Sequence, residues 1–345
     1  MTDSASTLLA FGLGVGTRDA NGDWLEVYYP HLVFRPSGET AATISAHFGG
    51  DAGEREAQAS ALSGYAQAIR ATDAGAAEIA TTLTRATQTV ISVILAEDRA
   101  ITSTAEGYLK LHLLSHRHVL PNEIDLEGIY EVLPNVAWTS EGPIAVDELP
   151  KRLLQARLTG RHVEVHAVDK FPRMLNYVVP SGVRVAAASR VRLGAYLGVG
   201  TTVMQEGLVN FNAGALGPNM VEGRISQGVI LGEGTDLGGS ASTMGTLSGG
   251  GKILVSLGKN CLVGANAGTG IPLGDRCTIE AGLYITAATP VSLLDEAGNS
   301  VETVKARELA GQSDLLFIRN GRTGVVECRA NKSAIALNEA LHAHN

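Results

Sequence analysis

The sequence predicts a mainly β protein: a left-handed parallel β-helix of hexapeptide repeats, with an N-terminal α/β domain and a small C-terminal extension of strands and a helix. Aliphatic residues recur at a spacing of six in the second half of the chain. A small residue follows most of them at a fixed distance, and glycine is abundant (41 residues) while aromatic residues make up only 5%. Neither the helical period of 3.6 nor the strand period of 2 maintains such a spacing, which favours stacked coils of short strands.

The repeat begins after Pro180-Ser181-Gly182 and covers about 110 residues. The aliphatic positions are Val185, Val191, Leu197, Val203, Val209, Ile225, Leu231, Leu237, Leu257, Val263, Leu273, Ile279, Ile285 and Val291. Four residues after each position stands Ser, Ala, Thr, Gly or Cys in eleven of the fourteen cases. We interpret the aliphatic residues as pointing into a three-sided prism and the small residues as fitting its tight corners.

Three segments interrupt the spacing: 210–224, 243–256 and 269–272. Within the second, the glycine-rich run from Thr246 to Gly251 predicts a loop that projects from the prism. Such projecting loops commonly carry functional residues.

The flanking segments predict a four-part chain: an N-terminal α/β domain (1–118), a mixed connecting segment (119–182), the β-helix (183–294) and a C-terminal extension (295–345). The first part contains a strand at Trp24–Tyr29, after a turn at Asn21-Gly22, and helices between Gly53 and His118. The second ends in a strand at Val163–Val168. The extension is predicted to hold a strand pair between Val304 and Cys328 with a turn at Asn320-Gly321, then a helix from Ala334 to His342.

Composition excludes several classes of protein. The net charge of −8 argues against a nucleic-acid binder, which would carry a basic face. No apolar run is long enough to span a membrane, and Met1–Gly16 lacks the features of a signal peptide. Three cysteines are too few and too unevenly spaced for a disulfide framework and suggest buried thiols in a reducing compartment. We therefore expect a cytoplasmic protein.

Candidate catalytic groups in the β-helix are carboxylates, because none of the nine histidines lies between residues 183 and 294. This argues against a histidine-based acetyltransferase and against a β-helix carbonic anhydrase, which binds zinc with three histidines. The acids of the prism and its loops are Glu206, Glu222, Glu233, Asp236, Asp275 and Glu280. Any one of them is most often a solvated surface group. Glu222 stands out because it lies in an interruption, between Gly217-Pro218 and Gly223-Arg224, and a carboxylate there could accept a proton from an amine.

Several long segments together resemble one known family. They are STAE (103–106), LPNVAW (133–138), VDKFP (168–172), NFNAG (210–214), VEGRIS (221–226), MGTLSGGG (244–251) and EAGLY (280–284). This pattern is similar to the tetrahydrodipicolinate N-succinyltransferases of the longer bacterial type. The resemblance runs from about residue 8 to the end of the chain.

The resemblance implies transfer of a succinyl group from succinyl-CoA to the amine of ring-opened tetrahydrodipicolinate, L-2-amino-6-oxopimelate, in the diaminopimelate route to lysine. It also implies a homotrimer with sites between subunits. Two alternatives stay open: an N-acetyltransferase acting on the same acceptor, and a non-catalytic β-helix that binds a CoA metabolite. A one-carbon difference in a donor is worth only about 1–3 kcal/mol in a pocket, so sequence does not rank donors.

The family pattern assigns the catalytic role to Glu222, as general base or as nucleophile forming an acyl anhydride; we prefer the base. The acyl-CoA contacts carried over from the family are Arg224, Gly239, Ser242, Ala265, Glu280, Ala281, Ala288, Lys305, Arg319 and Asn320. The chain departs from the pattern at Ala288, where glycine is usual, and at Ile318, where a second arginine is common. Arg224 could instead form a structural ion pair, and Lys305 could be an ordinary solvated charge.

A magnesium ion at the trimer axis is a further expectation. Some relatives place an acidic metal ligand where this chain has Ser189, while the partner position, Glu206, is kept. Three copies of Glu206 around an axis would repel one another unless they were protonated or bridged by a hard cation.

Overall fold

The computed structural model of the chain describes residues 8–248 and 253–331. Within them the chain forms two compact units. The first comprises residues 8–113 and 124–172, and the second comprises 114–123 and 173–331.

The first unit combines two small antiparallel sheets with helices. Its elements, with the helix that runs on into the second unit, are β1 (Ala10–Arg18), β2 (Trp24–Phe34), α1 (Gly38–Phe48), β3 (Gly53–Glu56), α2 (Ala59–Ile69), α3 (Ala74–Leu83), β4 (Val90–Leu95), α4 (Thr104–Ser115), α5 (Ile129–Val132), β5 (Val136–Thr139), β6 (Gly142–Ala145), α6 (Leu149–Leu158) and β7 (Val165–Asp169). One sheet has the order β2-β1-β4-β3 and the other β6-β5-β7. The predicted strand at residues 24–29 is confirmed as part of β2, and the one at 163–168 is confirmed from Val165 on, where β7 begins. The segment 53–118 is not helical throughout, because it also contributes β3 and β4.

The core of this unit lies between the first sheet and helices α1–α3. Phe11 of β1, Phe48 of α1 and Tyr65 of α2 are buried, and their rings contact one another at centroid distances of 5.1–5.9 Å. Burial on this scale stabilises a domain because each large side chain contributes about 1.5–3 kcal/mol.

The second unit is built from short strands that the chain visits in rotation on three parallel sheets. Sheet I contains β8 (Arg184–Val185), β10 (Thr201–Val203), β13 (Asn219–Val221), β16 (Asp236–Leu237), β19 (Leu262–Val263) and β21 (Thr278–Ile279). Sheet II contains β11 (Leu208–Val209), β14 (Arg224–Ile225), β17 (Ser242–Thr243), β20 (Gly268–Thr269) and β22 (Tyr284–Ile285). Sheet III contains β9 (Ala195–Leu197), β12 (Ala213–Ala215), β15 (Ile230–Leu231) and β18 (Ser256–Leu257). The arrangement is that of a parallel β-helix.

The predicted inward positions form the core of this coil. All fourteen are buried except Val185, which is half-buried on the first coil. They stack in register: Val203 pairs with Val221, and Leu237 pairs with Val263.

The prediction that residues 210–224 interrupt the repeat is wrong for most of that segment. Ala215 and Val221 continue the spacing of six from Val209, and both are fully buried in paired strands. The interpretation failed because alanine at 215 is too small to appear in an aliphatic pattern. The real irregularity is confined to Glu222, Gly223 and Arg224, since Ile225 follows Val221 after four residues instead of six.

The predicted interruptions at 243–256 and 269–272 also begin too early, because the first residue of each still belongs to the repeat. Thr243 and Thr269 occupy inward positions in β17 and β20, and both are buried. Each hydroxyl donates to a backbone carbonyl, that of Arg224 for Thr243 (3.1 Å) and that of Ile271 for Thr269 (2.7 Å). Threonine can therefore replace valine here without leaving its hydroxyl unbonded.

The predicted loop is an insertion in one coil. Leu231 pairs with Leu257, 26 residues later, whereas Ala215 pairs with Leu231, 16 residues later. An antiparallel bridge joins Thr246 to Leu254 near the base of the insertion. The predicted loop from Thr246 to Gly251 is described only as far as Ser248.

The C-terminal extension continues sheet I. It contains β23 (Pro290–Leu294), β24 (Ser300–Lys305), β25 (Leu315–Arg319) and β26 (Val326–Ala330). The predicted strand pair is confirmed as the antiparallel β25–β26 hairpin, whose turn is closed by the Asn320 N–H donating to the Val325 carbonyl (2.8 Å). The predicted helix from Ala334 to His342 lies outside the described residues.

The predicted buried thiols are confirmed: all three cysteines are free and buried. Burial raises the pKa of the Cys328 thiol to about 12. Among the described residues, no helix has the length and apolar character needed to cross a membrane.

Candidate functional site

Most of the predicted site residues line one edge of the β-helix, which we call the I–II corner. It consists of the segments that lead from each strand of sheet I to the next strand of sheet II: 186–190, 204–207, 222–223, 238–241, 264–267 and 280–283. Because the strands stack in register, equivalent corner residues lie one above another along the prism. Gly239, Ala265 and Ala281 occupy the same position on three successive coils.

Glu222 lies in the short corner between Val221 and Ile225. Its backbone N–H donates to the Leu237 carbonyl (2.9 Å), and the following Gly223 carbonyl accepts from the Leu208 N–H (3.0 Å). Position 223 requires glycine, because a Cβ there would stand 2.4 Å from the Ala241 carbonyl oxygen. Because this corner is two residues shorter than the others, its chain runs close against the next coil. The backbone that carries the Glu222 side chain is thereby fixed.

Two carboxylates face the same glycine at this corner. A Cβ placed on Gly239 would lie 3.5 Å from Glu222 Oε2 and 3.9 Å from Glu206 Oε2. Glu222 is half-buried and Glu206 is exposed. The absence of a side chain at 239 leaves the space beside both acids open.

A row of outward-facing residues runs beside this corner along sheet II. Each member stands one residue before an inward position, and the register gives the order Arg190, Leu208, Arg224, Ser242, Gly268, Tyr284. The Arg224 guanidinium donates to Ser242 Oγ (2.6 Å). The Tyr284 ring lies over Gly268, its neighbour in the row, since a Cβ on Gly268 would stand 2.3 Å from Tyr284 Cε2.

A cleft of about 430 Å³ opens where this row meets the corner. Its lining residues are Arg190, Glu206, Leu208, Gly223, Arg224, Ser240, Ala241 and Ser242. It therefore combines two guanidinium groups, two hydroxyls and a carboxylate with two apolar side chains, Leu208 and Ala241. This set suits a ligand that carries both carboxylate and amine groups.

The six candidate acids differ in their partners. Glu233 pairs with Lys259 (2.8 Å). Asp236 accepts from the Met220 N–H, Asp275 from the Lys259 N–H, Glu280 from the Arg319 N–H and Glu206 from the Ser240 hydroxyl. Within residues 8–248 and 253–331, the Glu222 carboxylate makes no hydrogen bond or ion pair. It is the acid of this set that is available to accept a proton.

The remaining predicted cofactor contacts form two groups. Arg319 and Asn320 are tied to the I–II corner, because the Arg319 N–H donates to Glu280 Oε2 (2.7 Å). Lys305 and Ala288 lie on the C-terminal extension, where Lys305 of β24 pairs with Pro290 of β23. Lys305, Arg319 and Ala288 are exposed, and Asn320 donates to Glu327 Oε1 (2.7 Å).

The donor set around Glu206 does not fit a magnesium ion within one chain. The described residues hold no cluster of three His, Cys, Asp or Glu side chains able to bind a metal. Ser189 stands beside Arg190, whose guanidinium donates to the Glu206 carbonyl (2.9 Å). A hard cation prefers several oxygen ligands and would be repelled by this guanidinium.

Sequence reasoning missed Arg190 and Leu208 as lining residues of the cleft. A signal was present, because both immediately precede inward positions of the repeat, Val191 and Val209, as Arg224 precedes Ile225. Ser240 was also missed; its φ of +57° places it in a left-handed turn that register alone does not predict.

Comparison with known proteins gives two family matches. Residues 133–173 match the family described as tetrahydrodipicolinate N-succinyltransferase, middle, and residues 254–287 match the hexapeptide repeat of succinyl-transferase.

Full-length relatives agree with these matches. The chain is 55% identical to the 2,3,4,5-tetrahydropyridine-2,6-dicarboxylate N-succinyltransferase of Pseudomonas putida, with 99% of this chain and 100% of the relative covered. It is 53% identical to the protein of the same name from Vibrio cholerae, with 97% and 99% covered. A crystal structure of a 2,3,4,5-tetrahydropyridine-2-carboxylate N-succinyltransferase from Campylobacter jejuni is 31% identical and superposes with a TM-score of 0.88 over 96% of this chain and 95% of that chain.

Proposed function

Because the chain belongs to the tetrahydrodipicolinate N-succinyltransferase family, we propose that it transfers the succinyl group of succinyl-CoA to the amine of ring-opened tetrahydrodipicolinate, L-2-amino-6-oxopimelate. This is a step of the diaminopimelate route to lysine. The observation that carries the proposal is the half-buried Glu222 carboxylate, which has no partner among the described residues and lies in the short corner beside the cleft.

Glu222 acts as the general base in this proposal. The ammonium group of the acceptor must lose a proton before its nitrogen can attack the thioester carbonyl, and Glu222 takes that proton. A carbon–nitrogen bond then forms and the carbon–sulfur bond breaks. The nitrogen gives its second proton to water, and the departing CoA thiolate gains a proton from Glu222, which is thereby restored as a carboxylate. Attack by Glu222 on the thioester, with an acyl anhydride as intermediate, is the alternative role for the same residue.

The donor extends along the I–II corner in the proposed complex. Arg224, which already contacts Ser242, binds the succinyl carboxylate through a charge-assisted pair. Gly239, Ala265 and Ala281 offer a side-chain-poor track for the pantetheine arm, with Glu280 and Ala288 at its far end. Lys305, Arg319 and Asn320 supply cationic and amide groups for the phosphates of the nucleotide.

The test is release of the CoA thiol, measured with succinyl-CoA and with acetyl-CoA, each with and without the cyclic dicarboxylate. We expect acceptor-dependent release that is faster with succinyl-CoA. Faster release with acetyl-CoA would make the protein an N-acetyltransferase. Binding of CoA without acceptor-dependent release from either donor would make it a non-catalytic binding protein.

The family also guides what we propose about the assembly. Prisms of hexapeptide repeats commonly associate in threes, and we propose a cytoplasmic homotrimer with sites between neighbouring subunits. We also propose that the β-helix is left-handed and that the chain divides into four parts at residues 118, 182 and 294. Partners beyond the small-molecule substrates, such as nucleic acid or membrane, are not expected. Magnesium stays a prediction that requires Glu206 from three copies, and no step of the proposed chemistry passes through it.

A further inference from the structure

The outward row beside the cleft places two arginines on either side of a leucine. Arg190, Leu208 and Arg224 occupy equivalent positions on three successive coils. Neighbouring coils are about 4.8 Å apart, so the two arginine backbones are separated by about 10 Å. All three residues line the same cleft. Because the proposed function assigns Arg224 to the donor, Arg190 and Leu208 remain to complement an apolar chain that ends in a carboxylate.

We propose that Arg190 binds the distal carboxylate of the acceptor, the one farther from the reacting amine. This inference rests on the proposed function. Glu222 stands two residues before Arg224, so an acceptor whose amine lies at Glu222 can extend across Leu208 towards Arg190. Leu208 then contacts the methylene groups between the two ends.

The surroundings of Arg190 leave its guanidinium suited to this role. One of its N–H groups donates to the Glu206 carbonyl (2.9 Å), which orients the side chain over the corner. Among the described residues this is its one side-chain hydrogen bond, and Arg190 is exposed. The Glu206 carboxylate accepts from the Ser240 hydroxyl, two coils further on, and forms no ion pair with Arg190 among the described residues. Several N–H donors of Arg190 therefore remain for a ligand carboxylate.

The test is steady-state kinetics of Arg190→Gln, with Arg184→Gln as the matched control. Arg184 is also exposed on the first coil but belongs to sheet I. For Arg190→Gln we expect the KM of the acceptor to rise about tenfold or more, because a charge-assisted bond is lost. The kcat and the KM for succinyl-CoA should stay within about twofold of wild type, since neither depends on the distal carboxylate. The Arg184 variant should leave all three unchanged.

Calorimetry supplies a readout that does not depend on turnover. In the presence of CoA, wild type should bind 2-aminopimelate at least about tenfold more tightly than 2-aminoheptanoate, which lacks the distal carboxylate. Arg190→Gln should bind the two equally, and Arg190→Lys should fall between. An unchanged preference, or a parallel rise in both KM values with a lower Tm, would overturn the proposal. Wild type without acceptor-dependent thiol release would instead reject the function on which it rests.

Discussion

The early and late coils of the I–II corner differ in backbone and in side chains, because the early corner at Glu222 is two residues shorter than the late ones. In the early coils the corner and the row beside it hold Arg190, Glu206, Glu222 and Arg224. In the late coils the second corner position holds Gly239, Ala265 and Ala281. The charged end can bind and activate a polar acceptor, while the small-residue end can accommodate a long cofactor arm. In the proposed function, the shortened corner and its charged side chains serve as the reaction centre, and the small-residue corners serve as the track for the cofactor.

Removal of the Glu222 carboxylate should give the largest effect. We expect Glu222→Gln to lower kcat by about 10²–10⁴-fold, because the amine loses its general base. CoA affinity, measured by calorimetry, should stay close to wild type. Glu233→Gln is the matched control, since Glu233 is an exposed acid of the same prism paired with Lys259. Unchanged turnover in the Glu222 variant would remove this residue from the mechanism.

Obstruction of the track should affect the donor alone. Ala265 is exposed, so Ala265→Leu should fold normally while its side chain intrudes on the pantetheine arm. We expect the KM for succinyl-CoA to rise about tenfold, equivalent to about 1.4 kcal/mol of lost donor binding through a steric misfit. The KM for the acceptor should not change. Ala297→Leu, at another exposed alanine outside the corner, is the control; if it behaved identically, the track would not be specific.

The C-terminal cations should contribute a smaller effect. Lys305→Gln and Arg319→Gln should each raise the KM for succinyl-CoA about three- to tenfold, and less at high salt, because exposed charge pairs are screened. Succinyl-pantetheine lacks the nucleotide phosphates and should be used equally well by wild type and both variants. A similar defect with this truncated donor would show that the two residues do not contact phosphate.

Removal of divalent cations should have the smallest effect. The described residues hold no group of three His, Cys, Asp or Glu side chains able to bind a metal, and the Arg190 guanidinium lies against the Glu206 backbone. We therefore expect treatment with EDTA to change activity by less than about twofold and Tm by less than a few degrees. Size-exclusion chromatography should show the same oligomer before and after treatment. Dissociation reversed by Mg²⁺ would show that copies of Glu206 share a cation.

The sequence predicted the inward face of the β-helix because a buried aliphatic residue is required at each coil. It failed where a smaller or polar residue met the same requirement, as with Ala215, Thr243 and Thr269. Both threonine hydroxyls are hydrogen-bonded and Ala215 is fully buried, so these residues take inward positions that a search for larger aliphatic residues does not detect. The prediction of helices throughout 53–118 failed for a similar reason. Neither β3 nor β4 shows the alternation of polar and apolar residues by which a strand is recognised in a sequence.

The candidate site followed a comparable division. Glu222 was identified from an irregularity in the repeat, and the structure narrows that irregularity to a corner shortened by two residues. Arg190 and Leu208 were missed because their role depends on register between coils, which becomes visible only when the paired strands are known. Sequence spacing thus pointed to Glu222 as the candidate base, which stays a prediction, but it did not identify the full lining of the cleft beside it.

A crystal structure with CoA and 2-aminopimelate would test the central claim most directly. We predict that the amine of the acceptor lies within hydrogen-bond reach of Glu222, about 3 Å or one water away, and that the pantetheine arm passes Gly239, Ala265 and Ala281. An acceptor amine bound far from Glu222, or a cofactor arm on another edge of the prism, would contradict the account.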